Sequence, residues 1–357
     1  MASTEGKAAG IRIAPDRLKD YVASVFRAAG SEAEEAGIVA DHLVEANLAG
    51  HDSHGVMRVY KYVDWVQAGQ VVPNRHARVE TDRGAMLLVD GAFGYGQVIG
   101  REAMDLAAER AHRHGFAVVS IRNAGHLGRI GAWAEQLAAA GLASFHFVNT
   151  SGFGILVAPH GGSDRRLSAN PLAAGVPVAG GRPLILDIAT SVVAEGKIQV
   201  MKNKGETLAP GLVVDGAGRP TTDPAAFYAD PPGAIFPFGG HKGSGLSVLC
   251  EVLAGSLSGG FASNPASPTA GRLVNNMLTL AFDPAAFGGA DFFAEDVRRL
   301  VDWTKGSRPI EPGGAVLLPG EVEDRVRAER REAIPIDAET FARIVAAGES
   351  VGVAAPQ

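Results

Sequence analysis

The chain of 357 residues is more than twice the length of a typical single domain, which predicts two domains or one large one. Hydrophobic residues make up 46% and charged residues 20%, an ordinary globular composition that excludes a disordered, collagen-like or coiled-coil chain. The formal net charge of −6 and the lack of a basic block argue against a protein that binds nucleic acid or an anionic membrane.

The N-terminal sequence and the single cysteine indicate where the protein works. The first ten residues lack the apolar core of a signal peptide, and no apolar run reaches the roughly 18 residues of a membrane span. Cys250 cannot form a disulfide within the chain, which fits a reducing compartment. We therefore expect a soluble, cytoplasmic protein. The 46 glycines indicate many tight turns and ligand-approaching loops, as in enzymes.

The N-terminal region is predicted to be helical. Apolar periodicity and glycine stops predict helices over 16–29, 31–50 and 56–68. Ser31 and Glu34 have the spacing of a capping box that opens the second helix.

From residue 85 onwards, short apolar strands alternate with helices of 10–15 residues. Strands are predicted at 86–89, 117–121, 143–148 and 183–189, and helices at 101–115, 131–141 and from about Gly245. This alternation predicts a layered α/β sheet.

A glycine cluster between the first of these strands and its helix invites a dinucleotide-binding interpretation. Gly94, Gly96 and Gly100 have the spacing GxGxxxG, one residue longer than the Rossmann fingerprint. The next strand is followed by Arg122 and Asn123, where a Rossmann unit has an acidic residue for the ribose. A tight turn and close packing therefore explain the glycines better than an ordinary Rossmann domain does.

The segment HDSHGVMRVYKY (51–62) carries candidate proton-transfer and anion-binding side chains. A helix that starts after Ser53 would place His54, Arg58 and Tyr62 on one face. An imidazole exchanges a proton near neutral pH, and a guanidinium binds a carboxylate in bidentate fashion. Reduction of a 2-oxo acid needs this pair of groups. The alternative is a surface helix with a capping serine and a solvated arginine.

Three further segments contain groups suited to catalysis or to anion binding. His126 lies in a predicted strand-to-helix loop, and Asp187 lies inside an apolar strand, where a carboxylate is costly unless it is paired. Lys242 and several glycines precede a helix in PFGGHKGSGL (237–246), which suits an anion. The simpler alternatives are a turn histidine, turn residues and an exposed lysine. Further hydrogen-bond donors near strand ends are Ser168, Asn170, Thr190 and Ser191.

Taken in chain order, several motifs resemble those of the type-2 malate/L-lactate dehydrogenase family. These motifs are HDSHGV, NAGHLGRIGAW, LSANPLAAGVP, LDIATS, PFGGHKGSGL and LPGE (318–321). The resemblance runs from about residue 15 to residue 340 and implies a non-Rossmann α/β fold, a nicotinamide cofactor and a homodimer. We expect residues 1–80 to form a helical region that carries the catalytic histidine and arginine and packs with 322–357. Residues 81–321 would form the α/β cofactor-binding region.

The resemblance also assigns roles to individual residues. His54 would donate the proton, with Ser53 and Asp187 as relay partners, and His126 is the other candidate acid or base. Arg58 would bind the substrate carboxylate, with Tyr62 close by. The residues expected to bind the cofactor are Ser168, Asn170, Asp187, Ile188, Ala189, Thr190, Ser191, His241, Lys242, Gly320 and Glu321. No metal ion is expected in the site.

The expected reaction is reversible hydride transfer between NAD(P)H and a small, malate- or lactate-like 2-oxo acid. An alternative within the family is reduction of a cyclic imino acid such as piperideine- or pyrroline-2-carboxylate. NAD is the preferred cofactor, although a 2′-phosphate would have three candidate cations in Arg122, Lys202 and Lys204.

Two alternatives lie outside this chemistry. One is a metal-dependent hydrolase that uses a histidine cluster, formed by His51, His54, His126 and Asp187. The other is a ligand-binding protein that keeps the fold without the activity. Neither nucleic acid nor a membrane is expected as a partner.

Overall fold

The computed structural model describes residues 10–269 and 271–356, apart from the side chain of Lys204. Most of the N-terminal segment that bears on the signal-peptide prediction lies outside the described residues. The chain divides into two units. Unit 1 contains the residues up to Arg75 together with those from Gly320 onwards, and unit 2 is His76–Pro319. No helix in the described ranges is long and apolar enough to cross a membrane.

The helices in the described residues are α1 (Pro15–Ala28), α2 (Ala33–Leu48), α3 (Val59–Gln67), α4 (Gly96–His114), α5 (Gly131–Ala139), α6 (Glu195–Lys204), α7 (Pro224–Phe227), α8 (His241–Cys250), α9 (Ala290–Lys305), α10 (Glu321–Arg330) and α11 (Ala338–Ser350). The strands are β1 (Ile11–Ile13), β2 (Arg78–Asp82), β3 (Met86–Asp90), β4 (Phe116–Ala124), β5 (Ala143–Gly152), β6 (Ile155–Val157), β7 (Leu167–Ser168), β8 (Pro171–Val176), β9 (Leu184–Ala189), β10 (Val213–Val214), β11 (Pro220–Thr221), β12 (Ala234–Ile235), β13 (Leu273–Phe282) and β14 (Ile334–Ile336).

Unit 1 joins the N-terminal helices to the C-terminal segment. Strand β1 pairs antiparallel with β14, with Ile11 opposite Ile336, so the two ends of this unit share a small sheet. Helix α11 packs on α3, and α10 packs on α2. Helix α1 starts at Pro15, whose fixed φ suits a first helical position.

The predicted capping box at the start of α2 is wrong. The N-cap residue is Glu32, and no side chain caps the helix there. Asn74, from a distant part of the chain, replaces it: its Oδ1 accepts a hydrogen bond from the Glu32 N–H at 2.8 Å. Its own N–H donates to the Glu35 carboxylate at 2.8 Å. A tertiary contact therefore takes over the capping role that the local sequence suggested for Ser31.

Unit 2 is built on a mixed sheet, which confirms the predicted α/β class. Its seven strands have the order β2-β3-β4-β13-β5-β8-β9. Only β3 and β4 run parallel among these neighbours, and the other pairs are antiparallel. A Rossmann sheet is parallel through its nucleotide-binding strands, so this topology is of another kind. Helices α4 and α5 pack against this sheet, and unit 2 also contains a five-stranded sheet with the order β11-β10-β12-β6-β7.

The glycine cluster before α4 serves close packing. A methyl group on Gly96 would lie 2.3 Å from the His126 carbonyl oxygen, and one on Gly100 would lie 2.5 Å from the Trp133 ring. These approaches bring α4 against the loop that carries His126 and against α5. The glycines therefore meet the protein's own backbone and side chains, as the departure from the Rossmann spacing predicted.

A histidine is fully buried within the large sheet of unit 2. His146 Nδ1 lies 3.0 Å from Thr279 Oγ1, and its Nε2 lies 3.0 Å from Ser144 Oγ. Burial disfavours the charged imidazolium and lowers the His146 pKa to about 3. The unfolded chain binds the proton near the ordinary value of about 6.5. Acidification below that value therefore favours the unfolded state, until the pH approaches the folded pKa.

We expect His146→Gln to flatten the pH dependence of stability. Between about pH 6.5 and 4, the wild-type free energy of unfolding should lose up to ~1.4 kcal/mol per pH unit through this single group. The variant should lack that contribution, although it starts less stable at pH 7.5 because two buried hydrogen bonds are disturbed. Urea unfolding at several pH values measures both curves. The exposed His114→Gln is the control, and parallel curves for wild type and His146→Gln would contradict the prediction.

Candidate functional site

A continuous helix that starts after Ser53, the condition for placing His54, Arg58 and Tyr62 on one face, does not form. The segment forms two short 3₁₀ turns, Asp52–His54 and Val56–Arg58, separated by Gly55 in an extended conformation with φ −90° and ψ −154°. Helix α3 begins only at Val59. The prediction that one helical face carries the histidine, the arginine and the tyrosine is therefore wrong.

A contact with α2 explains the break. The Val56 N–H donates to Asn47 Oδ1 at 2.7 Å, which replaces a bond within a helix. A methyl group on Gly55 would lie 2.1 Å from the same oxygen, so only glycine fits there. The Asn47 side chain also donates to Asp52 at 2.6 Å. Sequence reasoning missed Asn47. A polar residue on the buried side of α2 was the feature of the sequence that could have revealed it.

The break still leaves three of the predicted side chains together. Ser53 Oγ lies 3.0 Å from His54 Nδ1, and Arg58 Nε donates to the Ser53 carbonyl oxygen at 2.6 Å. All three residues are half-buried. The hydroxyl can fix the orientation of the imidazole, and the guanidinium braces the turn that carries both. We call Ser53, His54 and Arg58 the His–Arg cluster.

Tyr62 is a core residue of unit 1. Its side chain is 1% exposed, and its ring lies 5.5 Å from that of Trp65 and 6.1 Å from that of Phe26, centroid to centroid. The burial favours a packing role, and its place beside the substrate stays a prediction.

Helix α10 supports the HDSHG turn from the C-terminal side of unit 1. Gly320 precedes this helix with a φ of 94°, which favours glycine, and Glu321 is its first residue. Further along α10, Arg330 donates to both carboxylate oxygens of Asp52 at 2.6 and 3.1 Å. The LPGE motif therefore opens the helix that anchors the HDSHG turn.

In unit 2, the Asp187 carboxylate on β9 meets the N-terminus of α5. Its Oδ2 accepts a hydrogen bond from the Gly131 N–H at 2.8 Å. The favourable dipole at a helix N-terminus suits an anion there. The carboxylate in this strand is thus paired, as its position in an apolar strand required.

The end of β4, which leads into the loop that carries His126, is tied to the glycine-cluster loop, and both segments contain strained residues. Ala92, Phe93 and Asn123 have positive φ angles of 47°, 59° and 54°. The Phe93 N–H donates to the Asn123 carbonyl oxygen at 2.8 Å, which links the two loops. His126 itself is half-buried. Such strain persists where the surrounding structure fixes the backbone, often at functional sites.

The predicted cofactor residues on β7 and after it lie in the interior of unit 2. Ser168 Oγ donates to the Thr150 carbonyl oxygen at 3.0 Å. Asn170 donates to the buried carboxylate of Glu251 at 2.8 Å and accepts a hydrogen bond from the Thr150 N–H at 3.2 Å. Glu251 opens a π-helical turn, Glu251–Ser256, that continues α8. These contacts favour a supporting role for the Ser168 and Asn170 side chains.

The LDIATS and PFGGHKGSGL motifs meet beside a cleft in unit 2. The Phe238 N–H donates to the Thr190 carbonyl oxygen at 3.0 Å, and Ser191 forms an isolated bridge with Pro237. The cleft has a volume of about 550 Å³, within the range of small-molecule and cofactor sites. Glycine contributes half of its lining, and the residues that line it are Pro159, His160, Gly161, Gly162, Val192, Gly211, Phe236, Pro237, Gly239 and Gly240.

Two histidines and a lysine mark the rim of this cleft. Helix α8 begins at His241, four residues earlier than predicted, so Lys242 lies in its first turn, and both side chains are exposed. The His241 ring lies 5.9 Å from that of His160, centroid to centroid. Sequence reasoning missed His160, whose signal was its position in a second histidine–glycine sequence, PHGG (159–162).

The donor set of the cleft fits a phosphate-bearing cofactor. Glycines let a ligand approach the backbone closely, and the first turn of α8 offers the cation of Lys242. The N–H groups of Lys242, Gly243 and Ser244 already donate to backbone carbonyl oxygens of the loop before the helix. Thr190, at the end of the motif beside the cleft, is fully buried, and its hydroxyl has no hydrogen-bond partner among the described residues. A buried hydroxyl without a partner is unfavourable, so a ligand that supplied one would be stabilised.

Comparisons with known proteins agree with the motifs. Residues 13–345 match the family model described as malate/L-lactate dehydrogenase. Hydroxycarboxylate dehydrogenase B of Escherichia coli (strain K12) is 42% identical, with 96% of this chain and 95% of that protein covered.

Two solved structures extend this likeness to the fold. Sulfolactate dehydrogenase from Methanocaldococcus jannaschii has a TM-score of 0.86 and 32% identity, over 96% of this chain and 98% of that chain. Delta1-piperideine-2-carboxylate reductase from Pseudomonas syringae has a TM-score of 0.82 and 31% identity, over 94% of this chain and 99% of that one.

Proposed function

Because the chain belongs to the malate/L-lactate dehydrogenase family and is a dehydrogenase, we propose that it transfers hydride reversibly between NAD(P)H and a small 2-oxo acid. The observation that carries this proposal is the His–Arg cluster, which joins a proton-exchanging group to a carboxylate-binding group. Family membership argues against both the metal-dependent hydrolase and the inactive binding protein.

In the proposed mechanism, His54 protonates the substrate oxygen that becomes the hydroxyl. Ser53 Oγ, at 3.0 Å from Nδ1, holds the ring, so Nε2 is the nitrogen that would exchange the proton. Arg58 binds the substrate carboxylate, and Asp187 acts as the relay partner that favours the charged imidazole. The family resemblance assigns these last two roles.

The cofactor would be held in unit 2, by the cleft beside Thr190, Ser191, His241 and Lys242. When bound, a nicotinamide cofactor supplies or accepts the hydride. The backbone around Gly239 and Gly240 would bind its phosphates, and the exposed Lys242 would balance their charge. The end of β9 leads directly to Thr190 and Ser191 and comprises Asp187, Ile188 and Ala189. The side chains of Ser168 and Asn170 would support the cofactor site from the interior of unit 2.

We propose NAD rather than NADP as the cofactor. Of the cations considered for a 2′-phosphate, Arg122 pairs with both Glu80 and Asp90. The Lys202 ammonium lies 4.6 Å from the centre of the Tyr228 ring. Both cations are thus engaged by neighbouring side chains, and the side chain of Lys204 lies outside the described part of the structure.

We also propose that the protein is a homodimer, as the family resemblance implies. Helix α8 and the turn after it expose a row of apolar side chains, which comprises Val248, Leu249, Val252 and Leu257. Trp303 on α9 is 81% exposed. Apolar surface of this kind marks protein interaction sites. A monomeric mass by light scattering at micromolar protein concentration would contradict this proposal.

A screen of cofactor oxidation tests the proposed activity. NADH and NADPH would each be offered with pyruvate, oxaloacetate, 2-oxoglutarate, sulfopyruvate and piperideine-2-carboxylate. We expect oxidation with at least one of the 2-oxo acids, and faster turnover with NADH. The similarity to a piperideine-2-carboxylate reductase favours the cyclic imino acid as the second candidate substrate. Activity with that compound alone would replace the 2-oxo acid in the proposal, and no oxidation with any compound would refute it.

A further inference from the structure

A buried arginine lies at the entrance to α5, in the segment that follows His126. Arg129 is 2% exposed, and its Nη2 pairs with the carboxylate of Glu135. A guanidinium stays charged in proteins, so it is stable in the interior only beside carboxylates or other acceptors. Sequence reasoning did not single out this residue, because nothing in the local pattern marks it as buried.

The second carboxylate near this arginine is that of Asp187. A methyl group on Gly131 would lie 2.7 Å from Arg129 Nη1 and 2.8 Å from Asp187 Oδ2. The guanidinium and the carboxylate therefore flank the same glycine, within the ~4–6 Å over which opposite charges favour each other's charged form. The Gly131 N–H donates to the same oxygen, Oδ2, at 2.8 Å. One carboxylate oxygen is thus held by a helix N-terminus beside a cation.

We propose that Arg129 is a positioning residue for Asp187: it holds the carboxylate in one orientation and in its charged form. The inference rests on the proposed function, in which Asp187 is the relay partner of the proton donor. A cation and a helix N-terminus both favour the carboxylate anion. Glycine at position 131 is part of the arrangement, because any side chain there would push the arginine and the aspartate apart.

The kinetic test compares Arg129→Met, which removes the charge, with Arg129→Lys, which keeps it. We expect Arg129→Met to lower kcat about ten- to hundredfold, in the range of positioning effects. Its pH–rate profile should move to higher pH by at least ~0.5 unit, because losing a nearby positive charge makes acids harder to ionise. Arg129→Lys should keep the profile of the wild type and lose less activity.

Glu135→Gln is the matched control, because it breaks the Arg129–Glu135 pair and leaves Asp187 untouched. It should lower Tm without moving the profile to higher pH. If Arg129→Met fails to fold, Gly131→Ala takes its place and should show a comparable loss of kcat. Equal kcat losses in the Met, Lys and Gln variants, with no difference in profile, would overturn the proposal.

A thermal double-mutant cycle tests the contact without any substrate. Arg129→Met and Asp187→Asn should each lower Tm, because each removes the favourable charge interaction between the two groups. The Tm of the double variant should fall by clearly less than the sum of the decreases in the two single variants. Additive losses would show that the two groups do not interact, whatever the enzyme reduces. A wild type inactive on the whole panel would refute the proposed function and leave this coupling as a separate result.

Discussion

Replacing His54 by glutamine is expected to lower kcat by ~10²–10⁴-fold, the usual contribution of general acid–base catalysis. Glutamine keeps the side chain polar but cannot donate a proton to the developing alkoxide. Cofactor affinity, measured by quenching of NADH fluorescence, should change by less than about threefold, because the residues proposed to bind the cofactor's phosphates lie elsewhere in the chain. Steady-state and fluorescence measurements on the same preparation separate the two effects.

Two companion variants sharpen this experiment. Ser53→Ala removes the hydroxyl that lies 3.0 Å from His54 Nδ1 and should cause a smaller loss of kcat, because the ring remains but is less well held. His126→Gln tests the other candidate acid or base. A near wild-type kcat in His54→Gln would remove the residue from the proposed role. A larger loss in His126→Gln than in His54→Gln would transfer the role to His126.

The second large effect is expected at Arg58. Arg58→Gln should lower kcat/KM for carboxylate substrates by about 10²–10³, equivalent to ~3–4 kcal/mol, since the charged partner of the substrate is lost. The kcat/KM of Arg58→Lys should lie between the values of the wild type and Arg58→Gln. A lysine keeps the charge but lacks the two-pronged geometry, and it cannot reproduce the bond from Nε to the Ser53 carbonyl oxygen.

A substrate without the acid group provides the control for this prediction. The amide of the preferred 2-oxo acid should be a poor substrate for the wild type, and Arg58→Gln should lower kcat/KM for the amide far less than for the acid. The loss that remains with the amide reports on the missing bond to the Ser53 carbonyl oxygen. Added guanidinium ion should restore part of the activity of Arg58→Gln with the acid. If Arg58→Gln keeps the wild-type kcat/KM for the acid, another group binds the carboxylate.

Together, these variants separate three contributions to the proposed reaction. His54 and Ser53 report on proton transfer, Arg58 reports on substrate binding, and Arg129 reports on the positioning of Asp187. A lower kcat with unchanged KM indicates an interaction made only in the transition state. A raised KM with unchanged kcat indicates an interaction made equally with the bound substrate and with the transition state.

By itself, the sequence determined the class of fold and the segments that carry the chemistry. Alternating apolar runs and helical periods predicted the α/β sheet, because burial follows these periods whatever the topology. The extra residue between Gly96 and Gly100 separated the chain from the Rossmann fingerprint. The side-chain chemistry of His54 and Arg58 is local, so HDSHG was recognisable as a candidate site without coordinates.

Only the tertiary structure decided how these segments are shaped and which groups support them. The break at Gly55 depends on Asn47, and the place of Asp187 depends on Gly131, which is 56 residues away in the chain. His160 reaches His241 only through the folding of unit 2. Local periodicity carries no information about such long-range contacts, because each depends on a partner that packing alone brings near. Buried polar groups find these partners because they are costly without them.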